Sequence, residues 1–166
     1  MHCSRFGANH DADQHLDRAQ FNIGVMYVED RGVEKDYAEA MTWYRKAADQ
    51  DYAPAQSGIG FLYRNGLGVD RNDNEALKWY SKAAEQGLAR AQFRLGELYD
   101  GGKGIRRDAL QAYKWYTLAI GRFSKRDESW KERATKSRDA LAAKMTVDQI
   151  TDAKKLAQEW RPRRRS

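Results

Sequence analysis

His10, Asp11, Asp13 and His15 fall within six residues, and imidazole and carboxylate side chains are ligands of divalent cations. A polar lead-in accounts for the same residues, with His15 at the hairpin-end position that Gly87 holds downstream. Asp70 and Asp73 are near enough in sequence to act as an acid pair, yet they lie in a loop where turn formation and helix capping already explain them. Cys3 is the only cysteine, so no internal disulfide can form, and every cysteine and histidine lies within the first 15 residues. No G-x-S-x-G, phosphate-cradling glycine loop or H-E-x-x-H is present. Catalysis needs convergent groups; none converge, so the expectation is no enzyme, no cofactor and no metal. Arg161, Arg163, Arg164 and Arg165 supply four charges of a net +6. Such a tail attracts nucleic acid or acidic partners, although the repeats show no basic face interleaved with aromatics. The simpler reading is a solvated tail that aids solubility.

The elements that must position any of these groups come from an internal repeat. Displaced by 36 residues, the segment from Ala55 to Arg90 matches segments beginning at Ala19 and Ala91 without a gap. Gly24, Gly60 and Gly96 align, as do Tyr27, Tyr63 and Tyr99, then Gly32, Gly68 and Gly104, then Trp43, Trp79 and Trp115. A fixed period of this size is the sequence signature of a solenoid. Within a unit, Ala55, Ile59 and Leu62 recur at helical spacing and define the buried stripe of a first helix, as do Ala19, Ile23 and Met26, and Ala91, Leu95 and Leu98. Glycine inside that helix costs about 1 kcal/mol relative to alanine, so Gly24, Gly60 and Gly96 predict close approach of a partner helix, with Tyr27, Tyr63 and Tyr99 closing over the contact. Asn65, Gly66 and Gly68 predict a turn. Asn72, with Asp36 and Asp108 at the same position, predicts the cap of a second helix whose buried stripe is Ala76, Trp79 and Ala83, repeated as Ala40, Trp43, Ala47 and Ala112, Trp115, Ala119. Each unit is then an antiparallel helix hairpin that cannot cover its own apolar faces and must stack on its neighbours.

The combined pattern A-x-x-x-[IL]-G-x-x-Y, G-x-G-V and A-x-x-W-Y-x-K-A-A resembles the Sel-one-like repeat, a relative of the tetratricopeptide repeat, over residues 13–120. Asp30 departs from it in place of the first loop glycine, and Leu118 and Ile120 replace the lysine and second alanine of the third copy. The resemblance implies an all-α chain: a right-handed α-solenoid of stacked antiparallel hairpins that serves as an adaptor or scaffold for other proteins. The single cysteine sets it apart from the cysteine-rich secreted branch of that family.

The expected organisation is one domain: an irregular lead-in and the end of a degenerate preceding repeat (1–18), three repeats (19–54, 55–90, 91–121), capping helices (122–160) and a basic tail (161–166). Residues 127–144 read as one helix, and the T-x-x-Q of Thr146 to Gln149 caps a last one. No run approaches the ~20 apolar residues of a membrane span, and the N-terminus lacks the apolar core of a secretory signal. A cytoplasmic location is the default, with periplasm or secretion open if the N-terminus is incomplete. A monomer is expected.

Opposite the buried stripe, the first helices carry Phe21, Val25, Val28; Ser57, Phe61, Arg64; and Phe93, Glu97, Asp100. In a stacked array this is the concave face. Apolar groups on a wet face mark interaction sites, so the expected site is a groove floored by Phe21, Val25, Phe61 and Phe93, with Val28 adjoining them. Arg18, Arg64, Arg90, Glu29, Glu97 and Asp100 edge it, and it receives a partner protein's extended or helical peptide. The N-terminal segment, the terminal helices or a second copy could instead cover the same phenylalanines. The alternative function is a regulatory module that contacts nucleic acid or an acidic partner through the arginine tail.

Overall fold

The structure, a computed structural model, describes residues 5–102 and 104–164, and side-chain surroundings from His15 onward. Among these residues there are eight α-helices, one short 3-10 turn and no strand. The helices are α1 (Arg5–Glu29), α2 (Tyr37–Ala48), α3 (Ala53–Asn65), α4 (Asp73–Glu85), α5 (Ala89–Gly101), α6 (Ala109–Arg122), α7 (Glu128–Ala142) and α8 (Val147–Glu159). The pairs α1/α2, α3/α4 and α5/α6 are the three hairpins; α3 packs on α2 and α5 on α4, which stacks the hairpins into an α-solenoid.

The second helix of each hairpin starts where a short polar side chain can satisfy its free amides. Asp36 Oδ1 accepts from the Ala38 and Glu39 N–H groups at 2.9 and 3.0 Å, Asn72 Oδ1 from Glu75 at 3.0 Å, and Asp108 Oδ1 from Gln111 at 3.0 Å. The backbone N–H groups of these caps also donate to the carbonyls of Tyr27, Tyr63 and Tyr99, at 3.1, 2.9 and 2.9 Å. One backbone bond thus closes the inter-helix loop in every copy. Gly68 has φ +67, and a Cβ there would lie 2.7 Å from the Tyr37 backbone, so neither the conformation nor the space admits a side chain.

The close helix approach falls at the predicted glycines, but the ring that fills it differs from the expectation. A Cβ on Gly24, Gly60 or Gly96 would come within 2.6, 2.9 and 2.7 Å of Tyr44, Tyr80 and Tyr116 of the opposing helix. These three tyrosines are buried, whereas Tyr27, Tyr63 and Tyr99 are half-buried. The tryptophan stripe is likewise corrected. Trp115 is buried, but Trp43 and Trp79 are half-buried under Lys46 and Lys82, whose ammonium groups sit 4.1 and 4.5 Å from the ring centroids. Adjacent helical residues point about 100° apart, and the tyrosine, one residue on, is the one aimed at the glycine.

Ala55, Ile59, Leu62, Ala91, Leu95 and Leu98 are fully buried as expected. In the first copy Ala19 and Met26 are exposed and Ile23 half-buried, because no described helix packs on that side of α1. The lead-in is helical from Arg5 rather than irregular. It contains no proline, and Ala8, Ala12, Gln14 and Leu16 favour helix without marking an apolar stripe. Cys3 and the side chains of His10, Asp11 and Asp13, which the sequence raised and set aside as cation ligands, lie outside the described residues.

The C-terminal helices form as read. Thr146 and Gln149 make the reciprocal capping box, 2.9 and 3.2 Å, and α7 and α8 both pack on α6, which buries Ala134, Leu141, Ala153 and Ala157.

Candidate functional site

The first helix of each hairpin brings the predicted groove residues to one side of the array, but they divide into two sets. Phe21 stacks on Tyr44 with ring centroids 5.4 Å apart and meets Tyr52, at the start of α3, edge-on at 5.6 Å. Phe93 repeats this arrangement with Tyr116 and with Trp130 of α7, both at 5.8 Å, and is buried. Both phenylalanines are wedges between successive hairpins and not groove floor. Aromatic pairs at these separations add to burial energy; for Phe93 the cover is a terminal helix, one of the alternatives the sequence left open.

The remaining set is more open. Val25 and Val28 are half-buried, Phe61 is 37% exposed, and Arg64 lies one helical turn from Phe61. Arg64 Nη1 is buried and has no hydrogen-bond partner among the described residues, which leaves guanidinium donor capacity unused. Its charge reaches Tyr80: burial pushes that phenol up to about 12, and Arg94 and Arg64 work against the shift.

At the third repeat the rim charges are already engaged. Arg90 pairs with Asp127 at 3.1 Å, and hydrogen bonds from Ser124 and then Arg90 hold the Asp127 carboxyl below its ordinary value. Glu97 receives Arg94 at 2.8 Å and Arg133 of α7 at 3.9 Å, while Asp100 receives Arg107 at 3.0 Å. Glu29 pairs with Arg31 at 2.7 Å, and Arg18 is exposed. The terminal helices therefore cover the groove at its Phe93 end and leave Phe61 open, with Val25, Val28 and Arg64 half-buried and both valines packed against the core of the first joint.

Three tandem matches to the Sel1 repeat model fall at residues 17–52, 53–88 and 89–120, more than half of the chain. The chain belongs to the Sel1 repeat family. No curated protein matches it. Among solved structures, this Sel1 chain is similar to c5321, a protective antigen of uropathogenic Escherichia coli strains with an SLR fold, at 35% identity and TM-score 0.78 over 90% of this chain and 30% of that one. It is also similar to a Sel1 repeat protein from Oxalobacter formigenes, at 32% identity and TM-score 0.70, over 90% of this chain and 58% of that one. The chain thus spans less than two thirds of either. Sel1 repeat proteins generally act as scaffolds for protein–protein interaction and are typically non-catalytic. Among the described residues no three metal-ligating side chains gather, and no helix is long and apolar enough to cross a membrane.

Two features of the Sel1 array escaped the sequence reading. Gln20, Gln56 and Gln92 follow the first alanine of each copy; Gln20 and Gln56 accept from Gln50 and Gln86 at 2.9 Å each, and Gln92, fully buried, donates to the Ala84 carbonyl at 3.1 Å. The recurrence of A-Q in three copies was the available signal. The second feature is the tail, which does not float free. Arg161 Nη1 donates to the Gln158 and Trp160 carbonyls at 2.7 and 2.8 Å, and Arg163 reaches Asp51. No local pattern signals a contact across 112 residues.

Proposed function

We propose that this Sel1 repeat chain is a non-catalytic scaffold that binds an extended or helical segment of a partner protein on the strip formed by Val25, Val28, Phe61 and Arg64. The observation that carries this reading is Phe61, a large apolar ring left 37% exposed in a helix whose other face is fully buried, one turn from the half-buried Arg64. An aromatic and an arginine side by side are the residue types that dominate interface energies. The same side of the array already accepts a helix in cis: α7 lays Trp130 on Phe93 and Arg133 beside Glu97. A partner segment at repeats 1 and 2 would continue that contact toward the N-terminal end.

The test is retention of host proteins by immobilised wild type, Phe61→Asp and, as control, Val147→Asp, where Val147 is 80% exposed on α8. A protein held by wild type and by Val147→Asp but lost with Phe61→Asp supports the strip. Equal retention by all three removes it.

A further inference from the structure

The turn-side edge of the array carries a second feature, independent of the strip. Asp51 ends the first hairpin with φ +60, at the position where the second hairpin has Gly87 with φ +92. A left-handed conformation costs a non-glycine residue roughly 1 kcal/mol, and here the carboxylate gives the reason for its presence. Oδ1 accepts from Gln56 Nε2 at 2.8 Å, Gln86 Nε2 at 3.1 Å and Arg163 Nη2 at 3.0 Å, and the same guanidinium nitrogen lies 3.3 Å from Oδ2. Gln86 also donates to Gln56 Oε1 at 2.9 Å, so the carboxylate is held in place by the two glutamines that join successive repeats.

The chain segment that brings Arg163 there lies along the cleft as a bound peptide would. The Arg163 N–H donates to the Glu85 carbonyl at 2.7 Å, the end of α4. Pro162 and Trp160 lie against Gly87, and Trp160 meets Trp115 edge-on at 6.1 Å. Asp51, Gln56, Trp79, Lys82, Glu85 and Arg163 itself line an open cleft at this edge. One main-chain bond, one guanidinium on a preset carboxylate and one aromatic anchor are the elements by which proteins read extended peptides. The Arg163 side chain remains 47% exposed over a carboxylate that is only 15% exposed, so it can leave Asp51 without unpacking the core and is a replaceable occupant.

We propose that the Asp51 carboxylate at this cleft is a recognition site for an arginine in an extended segment, engaged in cis by Arg163, and that an arginine-bearing segment of a partner protein takes it by displacing that side chain. The tether raises the tail's effective concentration to about the millimolar range, which blocks weaker competitors and makes occupancy depend on the tail's own anchor.

The experiment uses the full chain and a fluorescein-labelled peptide of sequence EWRPRR, read by anisotropy. Arg163→Ala is expected to bind it at least tenfold more tightly than wild type, because the cis guanidinium no longer competes. Adding Asp51→Asn to Arg163→Ala should undo the gain, with circular dichroism showing unchanged helix content. A peptide with lysine in place of its arginine after proline should bind Arg163→Ala at least fivefold more weakly, since a point charge lacks the guanidinium fork; this arm needs no change at Asp51. No gain with Arg163→Ala, or indifference of the peptide to lysine, overturns the proposal. So does a wild-type dimer by light scattering that Arg163→Ala dissolves, because the tail would then join two copies.

Discussion

Gly24, Gly60 and Gly96 each face a tyrosine ring twenty positions on, and this residue-scale fit is the repeat's most demanding contact. Gly60→Ala would set a methyl 2.9 Å from Tyr80 Cδ1. Overpacking of that kind costs about 1–3 kcal/mol, and urea unfolding should show a loss in that range. Gly121→Ala is the opposite case: the site lies in α6 with nothing within 4 Å of a Cβ. Relief of helix entropy there should raise stability by about 0.5–1 kcal/mol; equal effects at both positions would disprove the tyrosine account. The three glycines were legible as a close approach because a costly residue recurred in register. Which aromatic filled the approach was not, since Tyr63 and Tyr80 are the same residue type and only the rotation of the opposing helix separates them.

At the scale of elements, each second helix owes its start to one polar cap. Asn72→Ala should cost about 1 kcal/mol, measured by the same unfolding assay, and Asn72→Asp should cost little because Asp36 and Asp108 already do the same work. The joint between α5 and α7 depends on Trp130, which also lies under Arg90, Arg94 and Arg133 at 5.3, 5.0 and 4.8 Å from the ring centroid. Trp130→Ala should expose Phe93 and lower stability by about 3 kcal/mol. A loss below about 0.5 kcal/mol would mean that α7 does not hold the end of the array. The caps were legible because capping chemistry is local. Cover of Phe93 by the terminal helices was an open alternative, but Trp130 as its partner was not legible, because Trp130 follows the end of the periodic register and Phe93 lies 37 residues back.

For the molecule as a whole, the buried tyrosines set an alkaline limit. Burial pushes Tyr44 and Tyr80 up to about 12 from 10.0, and raises Tyr116 as well. Below pH 10 the folded and unfolded chains both keep these protons, so the contribution is fully present. Between pH 10 and 12 the unfolded chain releases protons that the folded chain retains, and stability falls as pH rises. Helix content at 222 nm should therefore drop in this window, together with tyrosinate absorbance appearing. Tyr80→Phe should retain helix to higher pH than wild type; an unchanged alkaline midpoint would show that burial of this phenol is not limiting.

Period, hairpin architecture, cap positions and the two closing helices were determined by the sequence alone, because each rests on spacing within one helix or one turn and the copies repeat it in register. Family membership follows from the same spacing. The tertiary structure decided what lies between elements: Phe21 and Phe93 became wedges, Phe61 stayed open, Arg64 kept an unused donor, and Arg163 crossed to Asp51. Helical periodicity names the side of a helix on which a residue lies, but exposure depends on what the neighbouring hairpin and the returning chain place against that side. Those contacts span from about 20 to more than 100 residues, and no local pattern encodes them.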